Sequence, residues 1–300
     1  MTVPAMLFPA DPLTLRRPDP HFAGEARRWR ELGGEYALID HDALLAGEGS
    51  EALRRVPVGI GPLWYRGWMI PTSAYERLAS ALDARGGGLL TTPAGYASAH
   101  ELPGWYPAFD GATPTSVWLP VDLSPGAPGP APAHGALAAA AARLGGGGPA
   151  IVKDYVKSRK HEWAEACFVP DLGDLPALER VVARFVELQA EFLAGGVVLR
   201  RFEEYTRTED GRANEARVWW LDGEPVLVGP HPDTPDLTPE PDLSEVRPLV
   251  RALGCRFVTT DLAHRADGSG WRVVEVGDGQ VSGLPSSVDA TVLLSSLATA

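Results

Sequence analysis

Between residues 257 and 280, apolar and polar side chains alternate with the period of two that is typical of β-strands. Two such runs flank the turn-forming segment 266–270, and an Asp-Gly pair between β-rich runs predicts a β-hairpin. Strict alternation places Val273 and Glu275 on the same face of one strand, while Asp261 lies in the neighbouring strand. Both carboxylates are therefore expected in apolar strands, where an unpaired charge is costly.

These carboxylates allow two interpretations. Asp261 and Glu275, with Asp278 just beyond them, could form a site for a hard cation, of the kind that Mg²⁺ uses beside a nucleotide phosphate. Alternatively, they could be solvated carboxylates on an exposed face of the sheet. The hairpin pattern alone does not decide between these two possibilities.

The first part of the chain alternates between short apolar runs and segments whose apolar residues recur at helical spacing. Strands are predicted at residues 6–8, 36–39, 63–65 and 89–92, helices are predicted over 21–32 and from residue 73 onward, and the segment 100–110 is aromatic and turn-rich. This alternation predicts a small α/β domain over residues 1–119.

The rest of the chain has a different organisation. Residues 120–148 are rich in proline, glycine and alanine, and they predict a linker followed by a helix. Over residues 149–300, strands, hairpins and helices do not alternate strictly, which predicts a second domain of the α+β class. Its predicted elements are a strand at 150–153, a helix that begins at Asp174, a strand at 196–202, a hairpin at 216–228, a helix at 244–254 and the hairpin described above.

Composition narrows the functional classes. The formal net charge of −12 argues against a general nucleic-acid-binding surface. No apolar run approaches the ~20 residues that a membrane-spanning helix needs, and the first residues lack the basic segment of a secretory signal. The two cysteines, Cys167 and Cys255, lie far apart and outside any zinc spacing, which suits a reducing compartment. We therefore expect a cytoplasmic protein with no membrane partner.

A cationic tract begins at Lys153, the last residue of an apolar strand, and continues through Lys157, Arg159 and Lys160. A cationic loop that follows a strand can bind a polyanion such as a triphosphate. The alternative is a solvated basic turn, which we favour for Arg159 and Lys160. A strand interior is an unfavourable place for an ammonium group without a role, so a function is expected for Lys153. Neither a P-loop nor a Rossmann glycine motif is present.

Arginines form the second group of candidate residues. Arg200 and Arg201 end the strand at 196–202, and because adjacent strand residues point to opposite faces, at most one of them should face a given site. Ion pairs with Glu203 and Glu204 are the structural alternative. Arg217 lies in the next strand, where both an ion pair with a carboxylate and the binding of a phosphate are consistent with its position.

The order of these segments resembles the ATP-grasp superfamily, and most closely its clade characterised by two arginines and one lysine. The resemblance rests on a strand that ends at Lys153, a helix, a strand that ends at Arg200-Arg201-Phe202-Glu203, a hairpin that carries Arg217, and Asp261 and Glu275 on successive strands. It covers about residues 150–285. The preceding α/β segment, with Trp64-Tyr-Arg-Gly-Trp68, is similar to the pre-ATP-grasp domain.

The resemblance implies an ATP-grasp fold, in which two α+β lobes enclose ATP, with Mg²⁺ as the second cofactor. It assigns Lys153 and Lys157 to the phosphates, residues 200–203 (Arg200, Arg201, Phe202 and Glu203) to the nucleotide, Arg217 to the transferring phosphoryl group, and Asp261 and Glu275 to Mg²⁺. The usual last motif of the family, Glu-x-Asn, is here Glu275-Val-Gly277, so Asp278 becomes the expected substitute for the missing asparagine. Arg66 and Trp68 are candidates for the substrate side, although the tryptophan could instead be an ordinary core residue.

The activity that the resemblance implies is ATP-dependent carboxylate–amine ligation through an acyl-phosphate. The expected partners are a carboxylate and an amine, each carried by a small molecule, a peptide or a protein tail. Two alternatives stay open at this point: phosphoryl transfer to a hydroxyl on the same scaffold, and a nucleotide-binding module without turnover.

Overall fold

A computed structural model describes residues 3–122 and 131–300. Residues 123–130, which belong to the predicted linker, lie outside the described residues. The described elements form three four-stranded sheets, which are flanked by helices. In the described part of the chain, no helix combines the length and the apolar character that crossing a bilayer requires.

The first sheet forms around β1 (Ala5–Asp11), whose first six residues are all buried. β1 pairs in parallel with β3 (Tyr36–Ile39) and β4 (Leu63–Tyr65), and it pairs antiparallel with β2 (Thr14–Pro18). The helices in this part of the chain are α1 (Ala23–Glu31), α2 (His41–Leu45), α3 (Gly49–Ala52) and α4 (Thr72–Asp83). Strands and helices thus alternate as the sequence predicts, whereas the domain boundary at residue 119 stays a prediction.

Two segments of this region differ from the prediction. Residues 89–92 do not form a strand: within the described chain, Leu89 makes an isolated bridge to Leu63. The segment that was expected to be turn-rich is instead largely helical, with α5 (Pro93–His100) followed directly by α6 (Leu102–Phe109). The start of α5 has a clear cause, since Thr92 accepts a hydrogen bond from the backbone of Gly95 and a proline occupies the first helical position.

The second sheet has the strand order β5-β8-β6-β7, from β5 (Ser116–Pro120), β8 (Gly196–Arg201), β6 (Ala150–Lys153) and β7 (Phe168–Val169). It packs against α7 (His134–Arg143) and α8 (Leu175–Gln189). The Asp174 side chain caps α8 by accepting a hydrogen bond from the backbone of Ala177, as expected for a helix that begins there. Apolar residues along one side of α8 then complete the core beneath the sheet.

The third sheet has the order β10-β9-β11-β12 and consists of two hairpins. Its strands are β9 (Glu215–Leu221), β10 (Glu224–Pro230), β11 (Phe257–His264) and β12 (Trp271–Asp278), and α9 (Val246–Leu253) connects the hairpins. Asp222 and Gly223 both have positive φ, at 49° and 79°, which is the backbone geometry of the tight turn that joins β9 to β10. Both predicted hairpins are therefore present.

The two faces of the third sheet have different environments. One face packs against α6 and α9 through a core that includes Val218, Val258 and Val276. On the other face, Trp219 and Phe257 pack against β1, α1 and the helix α10 (Ala290–Ala298). The rest of that second face remains open toward the second sheet, and this opening contains the candidate site.

Candidate active site

Three charged residues lie side by side on the open face of the third sheet. Asp261 of β11 is directly opposite Arg217 of β9 on one side and Glu275 of β12 on the other. Residues that are directly opposite each other in neighbouring strands project from the same face. The hairpins therefore bring together Arg217, Asp261 and Glu275, although the chain separates Arg217 from Glu275 by 58 residues, the difference between their numbers.

A β-bulge sets the position of Glu275. The pairing of β11 with β12 shifts between Asp261 and Leu262, so that Val274 is an extra residue in its strand. Val273 is consequently buried in the core with Val276, whereas Val274 lines the cavity. The expectation that Val273 and Glu275 share a face is thus wrong, because the bulge interrupts the alternation. Bulges of this kind are frequent beside active sites, where they redirect a side chain.

Arg217 and Asp261 form a bidentate ion pair. Nε donates to Oδ1 and Nη2 donates to Oδ2, each at 2.7 Å. Nη1 also donates to the backbone oxygen of Gly283 at 3.2 Å. Burial acts to lower the pKa of Arg217, but Asp261 and the nearby glutamates outweigh burial and raise that pKa. Arg217 is thus a fixed positive charge with a defined orientation.

Lys153 connects the second sheet to this row of charges. Its side chain is almost fully buried, and Nζ donates to Oε1 of Glu275 at 3.1 Å. Burial by itself would raise the pKa of Glu275, but the positive charges of Lys153, Lys160 and Lys157 outweigh burial and lower it to about 2. Glu275 is therefore ionised at neutral pH, and its charge is balanced by a cation from the opposite sheet.

A cavity of about 700 Å³ lies between the second and third sheets. Residues from the predicted nucleotide segment line it, and these are Arg200, Arg201, Phe202 and Glu203. Lys160 and Glu215 line it as well. Burial acts to lower the pKa of Lys160, but Glu215, Glu275 and other carboxylates outweigh burial and raise it. Lys160 thus belongs to the cavity, and the preference for a solvated basic turn is wrong for this residue. The volume is typical of a site for a small ligand.

Arg200 and Arg201 have separate roles, as their opposite orientations require. Arg200 is buried, and it donates to Oγ1 of Thr113 at 2.5 Å. Arg201 donates to the backbone oxygen of Gly147. Glu203 does not pair with either arginine: it accepts two hydrogen bonds from Arg272, both at 2.9 Å. The proposed alternative, an ion pair of Glu203 with its neighbouring arginines, is therefore wrong.

One wall of the cavity is aromatic. Trp163 stacks on Phe168 with ring centroids 5.1 Å apart, and it meets Phe202 edge-on at 5.9 Å. Trp163 lies in a short π-helix, Trp163–Cys167, and 41% of its surface is exposed. The sequence analysis missed this residue. The available signal was a tryptophan directly after the cationic tract, because π-helical turns frequently occur at functional sites.

A smaller cavity, of about 110 Å³, lies at the charged row itself. It is lined by Arg217, Asp261 and Glu275, by Lys157, and by Met69 and His100 from the N-terminal part of the chain. Among the described residues, no group of three or more His, Cys, Asp or Glu side chains is arranged to hold a metal ion. Mg²⁺ is commonly bound by one or two carboxylates together with substrate phosphates, so Asp261 and Glu275 fit this ion when a phosphate is present.

Asp278 is not brought to these carboxylates. In the register of β12 it lies on the opposite face from Glu275, beside the core residue Val258. Its Oδ1 accepts hydrogen bonds from the backbone and side-chain nitrogens of Gln280, and in the described chain Oδ2 has no partner. Burial raises the pKa of Asp278 to about 7. The expected replacement of the missing asparagine by Asp278 therefore does not agree with its position.

The two predicted substrate contacts also lie elsewhere. Arg66 is buried, pairs with Glu25 at 2.7 Å, and donates to the backbone oxygens of Gln280 and Ser282. Trp68 lies on the surface, where its Nε1 donates to Asp19 at 3.0 Å. Neither side chain belongs to the walls of the two cavities, as far as the described residues define them. Arg66 instead connects the N-terminal part of the chain to the segment that follows β12.

Comparisons with known proteins agree with this geometry. No curated protein sequence matches the chain. Among solved structures, a RimK-domain ATP-grasp protein from Sphaerobacter thermophilus has a TM-score of 0.60 at 14% identity, with 99% of this chain and 100% of that chain covered. D-cycloserine synthetase DcsG gives 0.58 at 14% identity, with coverage of 98% and 99%. The ATP-grasp ligase PsnB, complexed with minimal precursor, Mg and ADP, gives 0.52 at 16% identity, with coverage of 98% and 96%.

These similarities establish the fold, and the family follows from a sequence comparison. A family model of the ATP-grasp domain, family 3 of the clade named for two arginines and one lysine, matches residues 143–297, which is slightly more than half of the chain. The matched region contains the second and third sheets, apart from β5, and both ion pairs of the candidate site. The chain therefore belongs to the ATP-grasp proteins, in family 3 of that clade.

Proposed function

We propose that the protein is a cytoplasmic, ATP- and Mg²⁺-dependent ligase that joins a carboxylate to an amine through an acyl-phosphate. The observation that carries this proposal is the contact between Lys153 and Glu275, which links the two sheets beside the Arg217–Asp261 pair. The pairs lie next to a cavity of about 700 Å³. This arrangement concentrates positive and negative charge where a triphosphate and a divalent cation can be bound together.

In this proposal, the larger cavity receives the nucleotide. Its base lies against the aromatic wall formed by Trp163, Phe168 and Phe202, while its phosphates extend toward Lys153 and Lys160. Aromatic stacking binds a base without requiring a specific hydrogen-bond pattern. Lys153 and Lys160 supply compact positive charges, which suit phosphate oxygens.

The reaction has two steps. An oxygen of the carboxylate substrate attacks the γ-phosphorus, and the bond between that phosphorus and ADP breaks. The nitrogen of the amine then attacks the acyl carbon, and phosphate leaves. Mg²⁺, held by Asp261, Glu275 and the phosphates, would neutralise negative charge during the first step.

The protein's own contribution is to position these groups and to balance their charge. When Glu275 turns toward a cation, Lys153 loses its partner and becomes free to contact a phosphate. Arg217 keeps its orientation because Asp261 and Gly283 both hold its guanidinium. The developing charge on the transferring group would thus meet a donor that is already in place.

Relatives of known activity support this choice. PsnB, which shares the fold, is a ligase whose structure contains Mg and ADP, and D-cycloserine synthetase is another enzyme with the same fold. At identities of 14–16% these structures support the fold, and the extension to this chain's reaction is our proposal.

Thermal unfolding tests the site before any substrate is known. ATP with Mg²⁺ at about a hundred times its dissociation constant should stabilise the protein by roughly 2.7 kcal/mol. We expect Glu275→Gln to reduce the magnesium-dependent part of this stabilisation. The matched control is Glu187→Gln, on the exposed surface of α8, which should respond to ATP like the parent. If the parent shows no stabilisation with ATP and Mg²⁺, the nucleotide site is refuted.

ADP release then tests the reaction. The parent is incubated with ATP, Mg²⁺ and a panel of carboxylates, which includes the amino acids and short acidic peptides, with hydroxylamine as the amine. Formation of a hydroxamate together with ADP supports ligation. A phosphorylated product without a hydroxamate favours phosphoryl transfer to a hydroxyl, and binding without ADP release with any acid favours a module without turnover.

A further inference from the structure

The smaller cavity contains one polar side chain whose role the proposed reaction does not yet explain. His100 is the last residue of α5, it is 5% exposed, and it lines the cavity of about 110 Å³ together with Arg217 and Glu275. Its ring nitrogens make no hydrogen bond within the described chain. They are also absent from the buried polar atoms that are closed off from solvent, so at least part of the imidazole opens onto the cavity.

The ring is held rigidly. It stacks on Tyr96 with centroids 4.8 Å apart, and Tyr96 stacks in turn on Tyr75 at 4.1 Å. The hydroxyl of Tyr96 donates to the backbone oxygen of Ile70 at 2.7 Å, which fixes the middle of this stack. An imidazole supported in this way keeps one orientation, so it can hold a ligand without losing further side-chain freedom.

The charge around His100 keeps its ring neutral. Burial lowers its pKa to about 4, and the positive charges of Lys157 and Lys153 act in the same direction, whereas Glu275 acts in the opposite direction. A neutral imidazole has one nitrogen that donates and one that accepts a hydrogen bond. The cations that line the cavity, Lys157 and Arg217, would also disfavour a charged ammonium and so favour the uncharged, nucleophilic form of an amine.

We propose that His100 binds the nucleophile: its unprotonated ring nitrogen accepts a hydrogen bond from the uncharged amine of the second substrate and directs the amine's lone pair toward the acyl carbon. This inference rests on the proposed function. As the new bond between nitrogen and carbon forms and the bond between carbon and the phosphate oxygen breaks, one N–H proton moves to His100 and then to solvent. The small volume indicates that only the amine head group enters, while the rest of that substrate extends outside.

The first test needs no turnover. The protein is labelled with ¹³C-histidine, and the His100 ring signal is identified among those of the seven histidines by its loss in His100→Asn. Hydroxylamine, which is uncharged at neutral pH, is titrated into the parent, and acetate is titrated into a second sample. We expect a saturable shift of the His100 signal with hydroxylamine and none with acetate. No shift with hydroxylamine, or a shift with acetate alone, would overturn the proposal.

The second test separates the two steps of the reaction. With an acid that supports ADP release, we expect His100→Asn to retain ADP release in the absence of an amine within about twofold. Hydroxamate formation should fall about tenfold or more, with a raised KM for hydroxylamine. His134→Asn, on the exposed surface of α7, is the control and should match the parent. An equal loss of ADP release and hydroxamate formation would contradict an action on the amine.

These tests also distinguish the two proposals. If no acid releases ADP from the parent, the ligase proposal fails, while the hydroxylamine titration still decides whether His100 binds an amine. If ADP release and hydroxamate formation occur in the parent and both are unchanged in His100→Asn, the ligase proposal stands and the role of His100 is refuted.

Discussion

The ion pair between Lys153 and Glu275 gives a prediction about stability that the structure can quantify. Lys153→Met removes the positive charge and keeps a side chain of similar length in the buried position. A fall in the pKa of Glu275 from 4.5 to about 2 corresponds to about 3 kcal/mol at a fully buried site. Because 38% of the Glu275 side chain is exposed, solvent screens the interaction, and we expect a loss of about 1–2 kcal/mol at neutral pH.

The effect of pH follows from the direction of this shift. A carboxyl whose pKa is lower in the folded state stabilises the fold above its unfolded pKa, and this contribution is lost as the pH falls through its folded pKa. The difference between parent and Lys153→Met should therefore be full above pH 4.5 and should shrink between pH 4.5 and about 2.

Urea unfolding, followed by tryptophan fluorescence at pH 7 and at pH 3.5, measures this difference. A double-mutant cycle with Glu275→Gln isolates the pairwise interaction from the other effects of each substitution. A coupling energy near zero at pH 7, or one of the same size at both pH values, would show that the two charges do not stabilise the closed arrangement of the sheets.

Three further changes test other parts of the structure. Arg217→Lys removes the bidentate pairing with Asp261, so ADP release should fall by about a hundredfold in a steady-state assay, while ATP binding by calorimetry should change little; unchanged ADP release would contradict a role for the guanidinium. Trp163→Ala should weaken ATP binding about tenfold by calorimetry, and Trp163→Phe should restore most of it; equal affinity in all three proteins would exclude stacking on this wall. Phe185→Ala, in the core under α8, should cost about 3–5 kcal/mol in urea unfolding, and a loss below about 1 kcal/mol would mean that this core repacks.

The sequence predicted those parts of the site that depend on local turn geometry. The Asp-Gly turns and the alternation of apolar residues place β9, β11 and β12 correctly, and the structure then brings Arg217, Asp261 and Glu275 into one row. Such features can be predicted because a tight turn limits the register of its two strands. The assignment of these residues to ATP and Mg²⁺ came from the family resemblance and not from the turns.

Other parts depend on contacts between distant segments. Arg66 finds Glu25 and the backbone of Gln280, which lies 214 residues away along the chain, so its spacing gave no indication of its partners. The bulge beside Glu275 adds one residue without a local signal, and strict alternation therefore misplaces Val273. His100 lies in a segment that was predicted as turns, and its proximity to Glu275 arises only from the packing of α5 against β12.

The core shared by the start of the chain and α10 has a consequence for synthesis in the cell. Trp64 packs in one cluster with Phe257 and Leu294, and its Nε1 donates to the backbone oxygen of Leu297. The first sheet can therefore not complete its burial until residues near 297 have left the ribosome. We expect the early strands to stay exposed during most of translation, so that the whole described chain acquires its final stability in one late step.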